Sequence, residues 1–322
     1  MTAELGRRTG TGTFDEQPVP DLNSEAIDFA AVSQCFAERR PLRRQDLEAL
    51  GLVVRHQGRK VPTVGGLLLF GRERLSSCPD AWIQAGRFAG TRRAELIDRA
   101  DLTDYPVVAL DQAVSFVERN TRLGMSVGRL KRRDVPAVPP AALREALVNA
   151  VVHADYTQPG GPIRVAVFDD RVEVENPGIL LPGLTIEELR EGLSRVRNRV
   201  LARVFNELGL VEQWGTGVRR MIDACTRAGL PEPGFAEVGL RFRVTLRTEP
   251  TGPATLDSTE QRIVGYIAAG DGRSTAAIAK HAGLSTRAMQ HRLAVLEQRG
   301  LVAVVGSGPR DPRRRWYVVE RP

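Results

Sequence analysis

Three polar residues, Glu145, Asn149 and His153, follow one another at intervals of four within residues 141–155. Because an α-helix repeats every 3.6 residues, side chains spaced by four lie on one face of a helix. A carboxylate and a carboxamide one turn apart can act on the same divalent cation, the amide oxygen as a ligand and the carboxylate as the base for a coordinated water. The alternative interpretation is an amphipathic helix with a solvated polar face.

The same segment carries the signals of a packed helix. It opens after Pro139 and Pro140, and proline suits the first helical turn because its missing N–H has no partner there. Its apolar residues recur with the helical period, which predicts one buried stripe made of Leu143, Ala146, Leu147, Ala150 and Val151. We therefore predict a helix with one packed face and the three polar residues on another.

Two later segments carry turn and glycine signals. Residues 163–176 alternate as two strands joined by a tight turn at residues 169–170, and residues 176–178 (Asn-Pro-Gly) then force the chain to bend. Residues 215–217 (Gly-Thr-Gly) precede a second helical pattern. Glycines at a helix start let a phosphate approach the free N–H groups and the positive end of the helix dipole.

In this order, the helix with the polar triplet, the hairpin ending in Asn-Pro-Gly and the glycine-rich helix start resemble the Bergerat (GHKL) ATP-binding fold of gyrase, Hsp90, histidine kinases and MutL. The segments 142–156, 176–180 and 197–220 resemble in particular the divergent RecG-like, or Schlafen AlbA-associated, ATP-binding proteins. The likeness covers residues 15–248, so we expect the N-terminal AlbA lobe of those proteins to be absent here.

The resemblance implies ATP and Mg²⁺ as cofactors. By that likeness Glu145 would be the catalytic base and Asn149 the Mg²⁺ ligand. Residues 181–209 would form a lid whose polar side chains clamp the γ-phosphate by charge-assisted hydrogen bonds. The alternative interpretation of these polar residues is the start of a surface helix. The nucleotide contacts implied are Asn176 and Gly178 beneath the adenine, Gly215, Thr216 and Gly217 at the phosphates, and Arg195, Arg197, Asn198 and Arg199 in the lid.

Two positions depart from the family pattern. The wider superfamily has aspartate where this chain has Asn176, so adenine recognition would rely on an amide. The RecG-like branch has arginine where this chain has Ala154. His153 is interpreted as a hydrogen-bonded structural histidine, the alternative being a phosphorylated one.

Composition narrows the class of protein. No apolar run reaches the 18 residues that cross a bilayer, and Cys35, Cys78 and Cys225 lack CxxC spacing, which fits a reducing cytoplasm. The net charge is +7, and five of these charges fall in residues 256–322, which hold 11 lysines and arginines against 6 aspartates and glutamates. Attraction for a polyanion is thus concentrated near the C-terminus.

The C-terminal residues follow the order of a winged helix: two helices, a turn, a third helix and a basic hairpin. This order resembles bacterial transcription regulators and implies that the third helix enters the major groove of double-stranded DNA. The implied contacts are Ser285, Thr286, Arg287, Gln290 and His291 on that helix, and Arg310, Arg313, Arg314 and Arg315 on the wing. The alternative is a winged helix used for protein contacts or dimerisation.

We therefore predict an α+β protein in which a Bergerat α/β sandwich is flanked by two smaller domains. The N-terminal one is either winged-helix-like or a helical support for the ATP-binding domain. The predicted divisions are a flexible arm at 1–24, an N-terminal α/β module at 25–136, an ATP-binding domain at 137–248, a linker at 249–257 and a winged helix at 258–322.

Two functions fit these signals. In the first the protein is a homodimeric, cytoplasmic, nucleotide-responsive transcription regulator. In the second it is an Mg-dependent ATPase that acts in DNA repair or phage defence. The sequence contains no G-x4-G-K-[ST] loop, which argues against a helicase motor. A third interpretation is a plain DNA-binding protein whose nucleotide pocket has decayed.

Overall fold

The chain forms two units, Met1–Pro250 and Thr251–Pro322. The structure is a computed structural model, and it describes residues 12–121, 124–128, 131–211, 216–249, 258–270, 272–298, 301–306 and 315–319. Within the described residues, no helix is both long enough and apolar enough to cross a membrane.

The N-terminal part of the larger unit consists of short helices and one hairpin. Two 3-10 turns, at Phe14–Glu16 and Ser24–Ala26, come first. The elements that follow are α1 (Phe29–Cys35), α2 (Asp46–Ala49), β1 (Val53–His56), β2 (Arg59–Pro62), α3 (Val64–Phe70) and α4 (Arg74–Ser77). Every residue of α3 is buried, so this apolar helix forms part of the core rather than a surface.

The rest of the larger unit alternates strands and helices around one sheet. Its elements are β3 (Ile83–Phe88), β4 (Leu96–Leu102), α5 (Pro106–Asn120), β5 (Gly124–Gly128), β6 (Lys131–Val135), α6 (Pro140–His153), β7 (Ile163–Val167), β8 (Arg171–Pro177), α7 (Ile186–Glu191), α8 (Arg199–Glu207), α9 (Gly217–Arg227), β9 (Gly234–Val238) and β10 (Arg241–Arg247).

Six of these strands form a mixed sheet with the order β4-β3-β7-β8-β10-β9. The β3–β7 pair is parallel, and the other four pairs of neighbours in this sheet are antiparallel. The register places Val174 opposite Val165 on one side and Val244 on the other. A buried valine row therefore crosses the centre of the sheet, where the helices pack.

Helix α6 confirms the helix predicted over residues 141–155, and its position explains the polar triplet. It begins at Pro140, as expected for proline in a first turn, and packs against α5, α9 and β8. Its apolar residues are almost completely buried. The apolar faces of α6 are packed against these elements. The remaining face, with Glu145, Asn149 and His153, borders the cavity described below.

The predicted division between residues 25–136 and 137–248 differs from the observed organisation. Strands β3 and β4, from the first range, are in the same sheet as β7, β8 and β10 from the second. The helices of both ranges share one hydrophobic core. The cause is the β3–β7 pairing, a contact between strands far apart in sequence, which local patterns do not reveal.

The arm predicted at residues 1–24 also differs where the structure describes it. The carboxylate of Asp15 is fully buried and accepts backbone N–H groups at the start of α8, with Val200 N at 2.7 Å and Leu201 N at 3.0 Å. Gln17 and Val19 form backbone hydrogen bonds with Val64 and Pro62. Residues 12–24 are thus a packed part of the larger unit, and residues 1–11 lie outside the described residues.

The smaller unit follows the predicted element order. Ser274 caps its second helix, and Gly283, with a φ of +69°, ends that helix in the left-handed conformation that favours glycine. The two strands pair antiparallel, with Val302 opposite Val318. The elements are α10 (Ser258–Ala268), α11 (Thr275–Ala282), α12 (Thr286–Gln298), β11 (Val302–Val305) and β12 (Arg315–Val318).

Candidate functional site

A cavity of about 740 Å³ lies within the larger unit, and eight of the catalytic and nucleotide-contacting residues predicted from the sequence line it. Its walls come from α6, α8, α9, the strands β8 to β10 and the segment between β8 and α8. A volume of this size is typical of a small-molecule site. The eight residues are Glu145, Asn149, Asn176, Gly178, Arg195, Arg197, Arg199 and Gly217.

The carboxylate of Glu145 lies between α6 and the first turn of α9. Asn149 Nδ2 donates to its Oε1 at 3.0 Å, and Arg220 donates to its Oε2 at 3.0 Å. A Cβ at position 217 would overlap Oε1, so only glycine permits this approach of the carboxylate to the helix. The predicted carboxylate–carboxamide pair is therefore formed, with an arginine as a third member.

The amide of Asn176 is held at the end of β8. This residue is buried, and its Nδ2 donates to Pro177 O at 2.9 Å. Asn176 lies opposite Phe242 of β10, which also lines the cavity. A buried polar group beside apolar walls is the arrangement that orients a flat heterocyclic ligand. The apolar part of the lining includes Ile179, Leu189, Val196, Met221, Phe235 and Phe242.

Gly178 is required by the backbone and by its surroundings. Its φ is +95°, and a Cβ there would lie 2.7 Å from Asp155 Cβ and 3.4 Å from the Arg197 guanidinium carbon. Arg197 itself lies 3.5 Å from Asp155 Oδ2 and donates to Ile179 O at 2.5 Å. Arg197 thus stabilises the bend after β8 through Ile179 O, and the bend in turn positions Arg197 at the cavity wall.

His153 ends α6 at the wall of the cavity. Burial, and secondarily the positive charge of Arg197, lower the pKa of His153 from its ordinary value of 6.5 to about 4. The ring is therefore neutral at pH 7. Because the His153 ring is neutral, the guanidinium of Arg197 carries the positive charge at this part of the cavity lining.

For Asn198 the sequence predicts a nucleotide contact, but the structure places this residue elsewhere. It is 1 % exposed, and its Nδ2 donates to Val152 O at 2.9 Å and to Ala154 O at 2.8 Å. These carbonyls end α6, where backbone acceptors have no partner within the helix. Asn198 thus connects α6 to α8. Its neighbours Arg197 and Arg199 line the cavity on either side.

The remaining predicted phosphate contacts are only partly described. Thr216 is at the N-cap of α9, adjacent in the chain to the cavity residue Gly217. Gly215 lies outside the described residues. Arg195 lines the cavity, and it donates to Pro182 O at 2.7 Å.

Arg220 is a site residue that the sequence prediction missed. It stands three residues after Gly217, and this helical spacing brings its side chain close to the carboxylate of Glu145. The spacing from the glycine was visible in the sequence, but the Glu145 contact joins residues far apart in the chain. Arg220 contacts the lining residue Glu145 without lining the cavity itself, whereas Arg203, which the sequence prediction also missed, does line it.

The donor set fits a magnesium ion only if phosphates supply most of its ligands. Among the residues that the structure describes, no group of three His, Cys, Asp or Glu side chains could bind a metal. Magnesium bound with a nucleotide needs few protein ligands because phosphates and waters complete its octahedron. The amide oxygen of Asn149 is the candidate ligand in the lining.

The residues predicted to contact DNA, at and just before the start of α12, are exposed. Ser285, Thr286, Arg287, Gln290 and His291 are all exposed. Met289, Leu293 and Leu296 of the same helix are fully buried in the core of the smaller unit. Arg315 lies at the start of β12, whereas Arg310, Arg313 and Arg314 lie outside the described residues.

Comparison with known proteins supports an ATPase-type domain. Residues 160–246 match the model of a family described as "Putative ATP-dependent DNA helicase recG C-terminal". The matched segment runs from β7 to β10 and includes Asn176, Gly178 and α9, but it begins after α6. The helix with Glu145 and Asn149 is therefore assigned to the site by geometry and not by this match.

A solved structure is similar over nearly the whole chain. The DIP2311 protein from Corynebacterium diphtheriae superposes with a TM-score of 0.60 at 18% sequence identity, covering 97% of this chain and 71% of that chain. At this identity the similarity shows a shared fold. No curated protein sequence matches this chain at a significant level.

Proposed function

We propose that this protein binds a nucleotide with magnesium in the cavity of its larger unit, binds duplex DNA through its smaller unit, and acts as a nucleotide-responsive transcription regulator. The observation that carries the proposal is the cavity, which brings together eight predicted residues from four separate segments of the sequence. The match of residues 160–246 to a RecG-like ATPase-type family supports the nucleotide-binding part of this proposal.

The two ends of the cavity suit the two ends of a nucleotide. A purine ring fits between apolar walls at Phe242 and Met221, with the Asn176 amide to pair with its polar edge. Phosphates fit at the first turn of α9, where the helix dipole and free N–H groups favour an anion. Asn149 would hold the magnesium, and the metal would supply neutralisation of the phosphate charge.

The smaller unit supplies the proposed DNA contact. The exposed polar face of α12 and the excess of positive charge in residues 256–322 suit a helix in the major groove with basic residues on the phosphates. Cytoplasmic localisation and a homodimer that reads two half-sites belong to the same proposal. Nucleotide binding would alter DNA affinity by favouring one conformation of the protein.

The nucleotide proposal is tested by calorimetric titration of the full-length chain with ATP, ADP and GTP in the presence of Mg²⁺. Asn176→Asp keeps an acceptor of the same size at the base, and Asn176→Leu removes it. We expect the Asp variant to retain ATP binding and the Leu variant to lose at least about tenfold in affinity, because a buried hydrogen-bonding position is left unpaired. No heat from any nucleotide with the wild type would refute the proposal.

The DNA proposal is tested by the salt dependence of binding. Replacing Arg313, Arg314 and Arg315 together by Ala should flatten the slope of log affinity against log salt concentration by up to about 3, because each phosphate contact contributes about 0.9. A matched control removes three positive charges from the hairpin of β1 and β2, through Arg55→Ala, Arg59→Ala and Lys60→Ala. Equal slopes for the wild type and the wing variant would contradict the wing contact.

A catalytic ATPase is the second candidate because Glu145 and Asn149 meet in the cavity at 3.0 Å. The test is single-turnover phosphate release, with and without DNA, from the wild type and from Glu145→Ala. Release that the substitution abolishes favours an enzyme. ATP-dependent DNA affinity that survives the substitution favours the regulator.

A further inference from the structure

The carboxylate of Glu145 occupies the position at α9 where the proposed function places a phosphate. Its Oε2 lies 3.0 Å from an Arg220 guanidinium nitrogen, and its Oε1 fills the space next to Gly217 that a side chain would otherwise occupy. Both residues belong to the first turn of α9. A negative group of the protein itself therefore lies at the positive end of this helix.

Two anions compete for this position. The first turn of an eleven-residue helix offers backbone N–H groups and a partial positive charge, and Arg220 adds a full one. A phosphate that approached Gly217 with Glu145 in place would meet a like charge within a few ångströms, which is unfavourable in a partly buried site. Glu145 side-chain exposure is only 11%, so water screens this repulsion incompletely.

We propose that Arg220, which contacts the cavity residue Glu145, is a phosphate-binding residue and that Glu145 acts as an internal competitor that holds Arg220 until a polyphosphate displaces it. This inference rests on the proposed nucleotide site and names its regulation. An arginine fork can exchange a carboxylate for a phosphate with the same paired geometry. The same exchange would free Oε2 of Glu145 from its contact with Arg220.

A structural role predicts a different result. If the ion pair only joined α6 to α9, loss of either partner would lower stability and nucleotide affinity together. Competition predicts opposite signs, because removing the charge of Glu145 releases Arg220 whereas removing Arg220 takes away a phosphate contact. The two variants therefore separate the explanations without reference to hydrolysis.

The experiment measures equilibrium binding of ATP, ADP and inorganic tripolyphosphate to the full chain, in EDTA and in Mg²⁺. Glu145→Gln keeps the size of the side chain and its acceptor for Asn149, and we expect its affinity in EDTA to be roughly threefold tighter than that of the wild type, the worth of a half-exposed ion pair. Arg220→Gln should bind roughly tenfold more weakly, with Arg220→Lys between. Tripolyphosphate should show the same order because the effect concerns the phosphates alone.

Matched controls come from the same helix. Asp223→Asn removes a negative charge and Arg227→Gln a positive one, both on exposed positions of α9 away from the cavity. Neither should change affinity by more than about twofold at moderate salt. Urea unfolding of all variants verifies that each one is folded at the temperature of the binding assay.

The double variant Glu145→Gln/Arg220→Gln should gain less over Arg220→Gln than Glu145→Gln gains over the wild type, because the repulsion between Glu145 and the phosphate is relieved but no arginine is left to release. Unchanged or weaker binding by Glu145→Gln, or unchanged binding by Arg220→Gln, would overturn the inference while the nucleotide site stands. A wild type that binds neither nucleotide nor tripolyphosphate would overturn the proposed function itself, and this inference with it.

Discussion

The two faces of the six-stranded sheet have different chemistry, although alternate residues of the same strands build them. On β8, Val172, Val174 and Asn176 face the helices and the cavity. Glu173 and Glu175 point to the other side because successive side chains of a strand alternate. Comparing the faces shows how charged residues that stabilise a fold differ from those that can bind a ligand.

On the outer face, carboxylates and guanidinium groups saturate one another. Glu173 and Glu175 are only 4 % and 3 % exposed. Arg93 forms ion pairs with both of them. Arg243 is paired with Glu175 in the β8–β10 register, and its guanidinium lies 2.8 Å from the Glu175 carboxylate. The long arginine side chains cover the carboxylates while their heads stay near water. Further pairs join Glu173 to Arg171 and Glu175 to Arg241.

On the cavity face, positive groups border an open volume instead. Arg195 is bound to a backbone carbonyl, and Arg197 lies at 3.5 Å from its carboxylate partner. Three outer-face arginines lie closer to buried carboxylates, at 2.9 Å for Arg93 with Glu173, 2.7 Å for Arg171 with Glu173 and 2.8 Å for Arg243 with Glu175. The fourth, Arg241, lies 3.7 Å from Glu175. We infer that charge at the outer face stabilises the sheet and that charge at the cavity face remains available to a ligand.

The largest expected effect on stability comes from removing a carboxylate of the outer face. Glu175→Ala leaves Arg93, Arg241 and Arg243 close together without their shared carboxylate, and we expect a loss of about 2–3 kcal/mol of unfolding free energy, less than for a fully buried pair because the arginines reach water. Nucleotide affinity should not change. Urea unfolding and calorimetric titration measure the two quantities.

Glu95→Ala is the control for that prediction, since Glu95 is an exposed carboxylate near Arg93 in the chain. It should alter stability by less than about 0.5 kcal/mol. A Glu175→Ala variant that is as stable as the wild type but binds nucleotide weakly would reverse the roles assigned to the two faces.

The next prediction breaks the cavity face. Gly178→Ala forces a Cβ into a left-handed position 2.7 Å from Asp155 Cβ, and we expect a loss of about 2 kcal/mol in stability from backbone strain and crowding. Nucleotide affinity should also fall, by roughly tenfold, because Arg197 and the bend after Asn176 must shift.

Gly160→Ala is a matched control for Gly178→Ala. Gly160 has a φ of +85°, and a Cβ added there would meet no heavy atom of the described residues within 4 Å, so the same substitution brings similar strain without crowding. We expect a loss of about 1 kcal/mol and unchanged nucleotide affinity. Equal affinities for Gly178→Ala and the wild type would show that the bend is not part of the ligand site.

The third prediction is that the two faces contribute to stability in different pH ranges. The pKa of His153 is lowered to about 4, so between pH 6.5 and 4 the unfolded chain binds a proton that the folded chain does not. Stability is thus fully present above pH 6.5 and is lost as the pH falls towards 4, by about 1–2 kcal/mol for a ring at a cavity wall. His153→Asn should flatten this part of the profile, and His56→Asn, on the β1–β2 hairpin, should leave it unchanged.

Glu175 acts in a lower window. Burial alone would raise its pKa, but the charges and hydrogen bonds of Arg93 and Arg243 lower the pKa of Glu175 below its ordinary value. Its contribution is therefore present above the unfolded-state pKa and is lost as the pH falls through the lowered folded-state value. Glu175→Gln should flatten only this acid limb. If His153→Asn changed the stability profile in the more acidic range assigned to Glu175 and not between pH 6.5 and 4, the two pH ranges would be assigned to the wrong residues.

Local periodicity was sufficient to predict α6, the β7–β8 hairpin and the helices of the smaller unit. The resemblance of the motif order to a known family, and not periodicity, predicted Glu145, Asn149, Asn176 and Gly178 as one group, and all four line the cavity. The contacts that sequence could not supply all join distant segments. Asp15 at the start of α8 and the Glu145–Arg220 pair are of this kind.

Asn198 shows a second limit. An asparagine in a predicted lid has the right chemistry for a phosphate contact, and its sequence neighbours are arginines that do line the cavity. Only the three-dimensional structure shows that its amide caps the carbonyls of α6 instead. Polar residue types report the capacity for a hydrogen bond, whereas packing decides which partner receives it.

The smallest expected effect comes from a conservative substitution on the outer face, which tests whether the geometry of its ion pairs matters. Arg93 contacts both Glu173 and Glu175 through one guanidinium, and Arg93→Lys keeps the charge but loses the planar fork. We expect a loss of about 0.5–1 kcal/mol in urea unfolding, because the charge remains and only the geometry of the paired contact is lost. Arg99→Lys, in the exposed Arg99–Asp101 pair of β4, is the control and should have a smaller effect. If the two substitutions cost the same, the outer face would be stabilised by net charge alone, and the shared contact of Arg93 would not distinguish it from an ordinary solvated sheet surface.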